Sequence, residues 1–385
     1  MSEIVDPQLQ AVENSIVDRA LTPLETPYIS GLKLRSDVSL GSLVLNTIDE
    51  DETLWICTDI EGWWVHPDVD IPDLPRGWGD GSYDASGKYQ ARQITLNGTF
   101  IPRTIDDLQA ARDKLISAAN LVRTGAWLVV QEDPAKASYV RLSGRPEINT
   151  VNARGRVDFS IGLRAADPIK YEFRDDDPEG FTTVEVLAKN TALGRDGRAS
   201  VLNKGTADVT AIFQVDAPIV GPATIYNETT DQLIIIVDPL RLSSSFTVSQ
   251  REVDNNIVTL TTSSAHDFVT SDPINVSGLG SPYDGEYYVL DAPSSTTVLY
   301  EKTTADTALT NVSGTVSRDA DVIEIDTYSQ EVAFNGLIEG TRSKVDTLTD
   351  WIYLAPGINT IRLIDEGAAN STSIMRLFYR SGWLG

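Results

Sequence analysis

The residues able to do acid–base, nucleophilic or metal chemistry in this chain are few and scattered. Two histidines occur, His66 and His266. A Ser-His-Asp relay needs a serine hydroxyl within hydrogen-bonding reach of an imidazole that a carboxylate orients. No GxSxG elbow surrounds any serine; His66 precedes Pro67, and His266 sits in the strand-to-turn passage "SSAHDF". Both read as surface or turn histidines. The carboxylates Asp175, Asp176, Asp177 and Glu179 would suit a hard cation such as Ca²⁺, which takes oxygen ligands. They lack the DxDxDG spacing, and a solvated linker is the simpler reading. Glycoside hydrolysis needs two carboxylates at a set separation, and nothing in this acidic chain selects a pair. Phosphate-cradling GxxxxGK[ST] and helix-opening GxGxxG patterns are both missing. The single cysteine, Cys57, excludes an intrachain disulfide and CxxC zinc sites, and its apolar setting "LWICTDI" points to a buried, inert thiol. No catalytic residue, cofactor or metal is expected.

The aromatic side chains offer more. The stretch "GWWVHPDVDIPDLPRGWGDG", residues 62–81, holds Trp63, Trp64 and Trp78, from a total of 7 tryptophans. Exposed aromatic faces bind sugars, and Tyr283, Tyr287 and Tyr288 form a second candidate set. Set against this, most aromatics in β domains are core, because each buries a large apolar area. Adjacent Trp63 and Trp64 cannot both be core on one strand: a period of two turns one inward and leaves the other for a partner.

The elements that must position these residues are mostly strands. "RQITLNGTFI" alternates Ile94, Leu96, Gly98 and Phe100 with Thr95, Asn97 and Thr99, and "RVDFSIGLRAADP" alternates Val157, Phe159, Ile161 and Leu163 with polar residues. One convincing helix follows Thr104, a candidate N-cap, with Ile105, Leu108, Ala111, Leu115 and Ala119 on one face. The acidic run Asp49 to Glu52 reads as a solvated turn. In "WIYLAPGINTIRLI", Pro356-Gly357 fits the centre of a type II turn and predicts a hairpin.

Composition shifts divide the chain. Residues 1–27 read as an extension with a weak helical pattern, and "YEFRDDDPEG" as a boundary near residue 175. Residues 246–318, rich in Ser and Thr with short strands between turn clusters, read as a small β module inserted into a larger β domain. Such insertions are tolerated where the flanking ends lie close together. With 31 basic and 56 acidic residues the net charge is −25. Charge of that sign opposes stable binding to nucleic-acid phosphates or anionic membranes. The N-terminus shows no secretory signal, and no apolar run approaches the roughly 18 residues a bilayer requires.

Taken in order, the loop 62–81, "YQARQITLNGTFI", "DDLQAARDKLISAAN", "AWLVVQED" and "GRVDFSIGLRAADPIKYEF" resemble the N-terminal half of the distal tail proteins of long, non-contractile-tailed bacteriophages. "ATIYNETTDQLIII", "DVIEIDTYSQEVAFNG", "TDWIYLAPGINTIRL" and "RLFYRSGWL" resemble the second half. The resemblance implies a mainly β fold with one main helix (α+β). A ring-forming belt domain would occupy 28–174, and a discontinuous galectin-like sandwich 175–245 and 319–385. It implies a non-enzymatic virion protein, assembled in the host bacterial cytoplasm and located at the distal end of the tail. Six copies would close a ring between the tail tube and the tip or baseplate. Its partners would be the tube protein, the tape measure and other tail-tip proteins, with DNA passing through the lumen unbound. Trp63, Trp64 and Trp78 then become candidate ring or partner contacts. Tyr283, Tyr287 and Tyr288 become a candidate accessory surface on the inserted module, for host cell-surface glycan. The competing reading is a carbohydrate-binding adhesion protein; a glycan hydrolase comes third.

Overall fold

The computed structural model describes residues 38–78, 80–83, 86–104, 106–150, 156–174, 180–338, 340–346 and 349–385. The extension 1–27, Ile105 and the cluster Asp175, Asp176, Asp177 and Glu179 lie outside the described residues. The fold is mainly β, with one α-helix among the described residues. The chain divides into two units. One runs to Phe181 and also takes in Lys204–Ala207 and Arg380–Gly385; the other comprises Thr182–Asn203 and Asp208–Tyr379.

The first unit is built on an 11-stranded antiparallel sheet. Its main path runs Leu43–Leu45, Val38–Leu40, Ala126–Val130, Lys136–Leu142, Val157–Ala165, Arg92–Ile101, Leu54–Glu61, Thr47–Ile48. The first and last strands of that path are separated in sequence by Asn46 alone, so the sheet curls until its ends meet. Asn46 makes the hand-over at φ +61°, a left-handed conformation that asparagine tolerates, and its Oδ1 accepts from the Cys57 N–H at 2.8 Å. Curling turns alternate residues inward: Val157, Phe159, Ile161 and Leu163 on one strand, and Ile94, Leu96 and Phe100 on its neighbour, are buried. Trp55 packs on Phe100 with ring centres 4.9 Å apart. Phe159 lies over Gly98, where a Cβ would come within 2.3 Å of its ring.

The helix Leu108–Val122 buries Ala111, Leu115, Ala118, Ala119 and Val122. It begins later than the sequence suggests, and Thr104 does not cap it. The Thr104 hydroxyl and N–H both donate to the Asp107 carboxylate, at 2.6 and 3.2 Å, forming a turn ahead of the helix. Asp107 takes the cap position, but its side chain is occupied backwards and satisfies no helical N–H. The acidic turn departs from expectation too. Asp49 accepts from Lys114 Nζ at 2.6 Å and Trp55 Nε1 at 2.8 Å, tying the turn to the helix and the core.

The second unit holds two antiparallel sheets and a barrel. One sheet orders Thr182–Leu187, Ile374–Tyr379, Val209–Asp216, Val322–Asp326 and Glu331–Phe334; the other orders Arg198–Asn203, Gly357–Asp365, Ala223–Asn227 and Gln232–Ile236. Each has one apolar face, with Phe213, Val215, Ile323 and Leu377 buried on the first and Val201, Ile225, Ile234 and Leu363 on the second.

The hairpin expected at Pro356-Gly357 does not form. Tyr353–Leu354 pairs with Val209–Thr210 in one sheet, whereas Gly357–Asp365 lies in the other, so the turn carries the chain across. Three buried asparagines replace the ladder that the crossing lacks. Asn203 Nδ2 donates to the Leu354 carbonyl at 3.1 Å, and Asn227 Nδ2 to that of Tyr353 at 2.9 Å. Asn359 donates to the Ala355 carbonyl at 2.8 Å and accepts from its N–H at 3.0 Å. An orphaned buried polar group costs about 1–3 kcal/mol, so these amides decide where the chain can change sheets.

Between Gln232–Ile236 and Val322–Asp326 the chain forms a closed six-stranded barrel. Its circuit is Ser244–Asp254, Ile257–Thr262, Thr297–Glu301, Gly285–Ser294, Pro273–Ser277 and Thr307–Arg318. It has its own core, which includes Val248, Leu260, Ile274, Val289, Val298 and Tyr300. The first and last strands pair, placing Ser244 opposite Arg318.

Candidate interaction surface

The tryptophan-rich stretch has a fixed root and a projecting arm. At the root, the chain leaves the strand Leu54–Glu61 through Gly62, at φ +81°, where a Cβ would lie 2.0 Å from the Gln93 carbonyl oxygen. Only glycine can turn this close to the neighbouring strand. Arg92, itself buried, then gathers carbonyls. Its Nη1 donates to Gly62 at 3.0 Å, Trp63 at 3.3 Å and Val65 at 2.6 Å, while Nε and Nη2 donate to Pro168 at 3.0 and 2.9 Å and Nη2 also to Leu384. Five carbonyl oxygens on three separate segments thus converge on one guanidinium, whose fan of five N–H groups suits it to the task.

Trp63 is fully buried. Its Nε1 donates to Glu132, which also pairs with Lys136, and Lys136 lies 5.1 Å from the centre of the Trp383 ring. Lys170 Nζ donates to the Trp63 carbonyl at 2.9 Å and lies 4.8 Å from the centre of the Trp63 ring. Burial pushes the Lys170 ammonium down to about 7, opposed by the Glu132 carboxylate and reinforced by the charges of Arg92 and Lys136.

Beyond Pro67 the character changes. From Asp68 to Gln90, every described side chain is exposed. The segment is nonetheless ordered as two nested pairings, Val69–Asp70 with Lys88–Tyr89 and Leu74–Pro75 with Ser82–Tyr83. Arg76 at the tip donates to the Ser82 carbonyl at 3.2 Å and lies over the Tyr83 ring. This is a hairpin arm without a core of its own, and it carries Val69, Ile71, Tyr83 and Tyr89 exposed, with Trp78 at 97%. A two-stranded ribbon is marginal by itself, and clustered exposed apolar groups mark a surface that meets a partner.

The three tryptophans therefore separate. Trp63 is core, Trp64 is half-buried against the same core with its Nε1 bonded to no described residue, and Trp78 stands at the end of the arm. His66 sits edge-on to Tyr89, 5.1 Å between ring centres, and braces the arm's base. In the barrel, Tyr283 is buried under the Arg251 guanidinium at 3.6 Å, Tyr287 stacks on Tyr300 at 4.2 Å, and only Tyr288 faces fully outward. His266 stacks on Phe268 and accepts from its N–H. Cys57 is partly buried; burial and the Asp59 charge push its thiol up to about 11. Among the described residues no group of three or more His, Cys, Asp or Glu could hold a metal ion, and no helix is long and apolar enough to cross a membrane.

No protein-family model matches the chain, and no curated protein does. Solved structures do resemble it. The crystal structure of the SPP1 Dit (gp 19.1) protein, described as a paradigm of the hub adsorption apparatus in phages infecting Gram-positive hosts, is 13% identical at a TM-score of 0.43, over 84% of this chain and 92% of that one. The phage P2 baseplate in its activated conformation with Ca is 8% identical at a TM-score of 0.32, over 89% of this chain and 96% of that chain. The same baseplate with Sr is 9% identical at 0.30, over 74% and 97%. All three are phage hub or baseplate structures.

Sequence reasoning missed Arg92, Glu132 and Lys170 as the anchors of the loop. A signal existed for Arg92, which has the same parity as Ile94, Leu96 and Phe100 and so had to point inward. Lys170 and Glu132 gave no comparable sign, because their partner is Trp63, far away in sequence.

Proposed function

We propose that this chain is a structural subunit of a phage tail tip. Copies of it close into a six-membered ring that joins the tail tube to the distal tip or baseplate and leaves a channel for DNA. The observation that carries this reading is the arm: a hairpin exposed at every described side chain, anchored at its root by Arg92 and ending in an uncovered Trp78. An element of this kind is completed by a neighbour, and tryptophan is the residue type that most often dominates such contacts. The order of motifs along both halves supports the placement in a tail. The net charge of −25 supports passage of DNA without adhesion, since like charge repels phosphate. Galectin-like describes the two-sheet part of the second unit in this reading, and the barrel is an accessory module on it.

The test is imaging of virions with antibody or gold label directed to this chain. Label at the distal end of the tail, on a six-fold ring with a central pore, is the expected result; label on the capsid or along the tube refutes it.

A further inference from the structure

On the outward face of the first unit's sheet, Arg141 and Arg164 stand directly opposite each other on the paired strands Lys136–Leu142 and Val157–Ala165. Side chains so placed have Cβ atoms about 5 Å apart, and like charges there destabilise the pairing. Both arginines are exposed, and neither forms an ion pair with any described residue. The chain has 56 acidic residues, yet no described carboxylate pairs with this doublet. Two positions before Arg141, on the same face, exposed Tyr139 leans edge-on against Trp127 at 5.3 Å. The patch is therefore basic and aromatic, and no described residue compensates its charge.

The arm carries the complement. Asp68, Asp73 and Asp80 are exposed on it without an ion pair to any described residue, and Asp70 is opposed only by Lys88 across the ribbon. Val69 and Ile71 alternate with these carboxylates. At about 3.3 Å per residue, the arm from Asp68 to Trp78 reaches roughly 30 Å, the diameter of a small domain.

We infer that the arm of one copy lies on the Arg141/Arg164 face of a second copy, its carboxylates against the two guanidiniums. The two surfaces are different patches of one chain, so the contact is head-to-tail and repeats from copy to copy until rotation closes it. The inference rests on the ring reading above and adds which face receives the arm.

Charge reversal on the full-length chain tests it, with native mass spectrometry reading the assembled fraction at fixed concentration. Arg141→Glu with Arg164→Glu, and separately Asp68→Lys with Asp73→Lys, are each expected to lower that fraction at least tenfold. All four substitutions in one chain restore it. Because the sites are exposed, thermal midpoints should stay within a few degrees of wild type, which separates lost contact from lost fold. Rings indifferent to either reversal, or a folded fourfold variant that fails to recover, overturn the pairing and leave the ring reading standing. A wild-type chain that never self-associates overturns both.

Discussion

Arg92 and Lys170 donate to the same acceptor, the carbonyl oxygen of Trp63, at 3.3 and 2.9 Å. Two cations on one carbonyl is an electrostatic conflict, eased by the Glu132 carboxylate and sharpened by burial. The guanidinium keeps its charge under all ordinary conditions, so the amine is the group that yields. The root of the arm therefore rests on a lysine that sheds its proton near neutrality.

A pH dependence of stability follows. In the folded chain Lys170 loses its proton at about 7, whereas the unfolded chain holds it to the ordinary value of 10.5. Between those limits the unfolded state binds more protons, so stability rises with pH, by at most about 1.4 kcal/mol per unit. Cys57 works in the opposite sense, but only above its ordinary value of 9.0. Urea unfolding between pH 7.5 and 8.5 should accordingly show increasing stability, and Lys170→Met should flatten that slope. An unchanged slope in the variant would assign the effect elsewhere.

Trp63 and Trp78 should behave as opposites although they belong to one loop. Trp63→Ala empties a fully buried site and strands the Glu132 acceptor, costing about 3–5 kcal/mol of stability. Trp78→Ala removes an exposed side chain and should leave stability within about 0.5 kcal/mol while impairing assembly. Calorimetry beside electron microscopy of assembled particles separates the two. Normal assembly of the Trp78 variant would remove the arm's tip from the joint.

The barrel is held by buried charge. Arg318 and Asp321, each 1% exposed, pair at 3.2 Å; Arg318 also reaches Asp267, and Arg241 grips Asp272 and Asp321. Replacing Asp321 by Ala removes the buried carboxylate that pairs with both Arg318 and Arg241, at a cost of about 3–5 kcal/mol. Limited proteolysis should then cut near Leu242 or Asp319, where the wild type resists. Full resistance would show that the barrel's mounting does not depend on this pair.

The parts of the fold legible from sequence are those governed by local periodicity. The alternation in Arg92–Ile101 and Val157–Ala165, and the face bearing Leu115 and Ala119, each follow from where the next turn of a strand or helix must point. What could not be read depends on partners remote in sequence. The Pro356-Gly357 turn is compatible with a hairpin or a crossing, and the choice is made by Asn203 and Asn227, well over a hundred residues upstream. The same holds for the candidate surface: the tryptophans announced themselves by type, but which one is covered depends on Arg92, Glu132 and Lys170 closing over the first of them. The arm's exposure is a property of the assembled sheet and has no local signature.

Ser244 faces Arg318 across the first and last strands of the barrel. Chain entry and exit are thus about one strand spacing apart, so the two flanking sheets sense little of what lies between them beyond two adjoining backbones. Such a socket permits exchange: a lineage could trade this barrel for another fold with close-set ends and keep the rest of the molecule unaltered. The toll falls on Arg241 and Arg318, which any replacement must either supply with carboxylates or see mutated to neutral residues. Related chains should therefore vary abruptly between these two positions, and the arginines should appear or vanish along with the cargo.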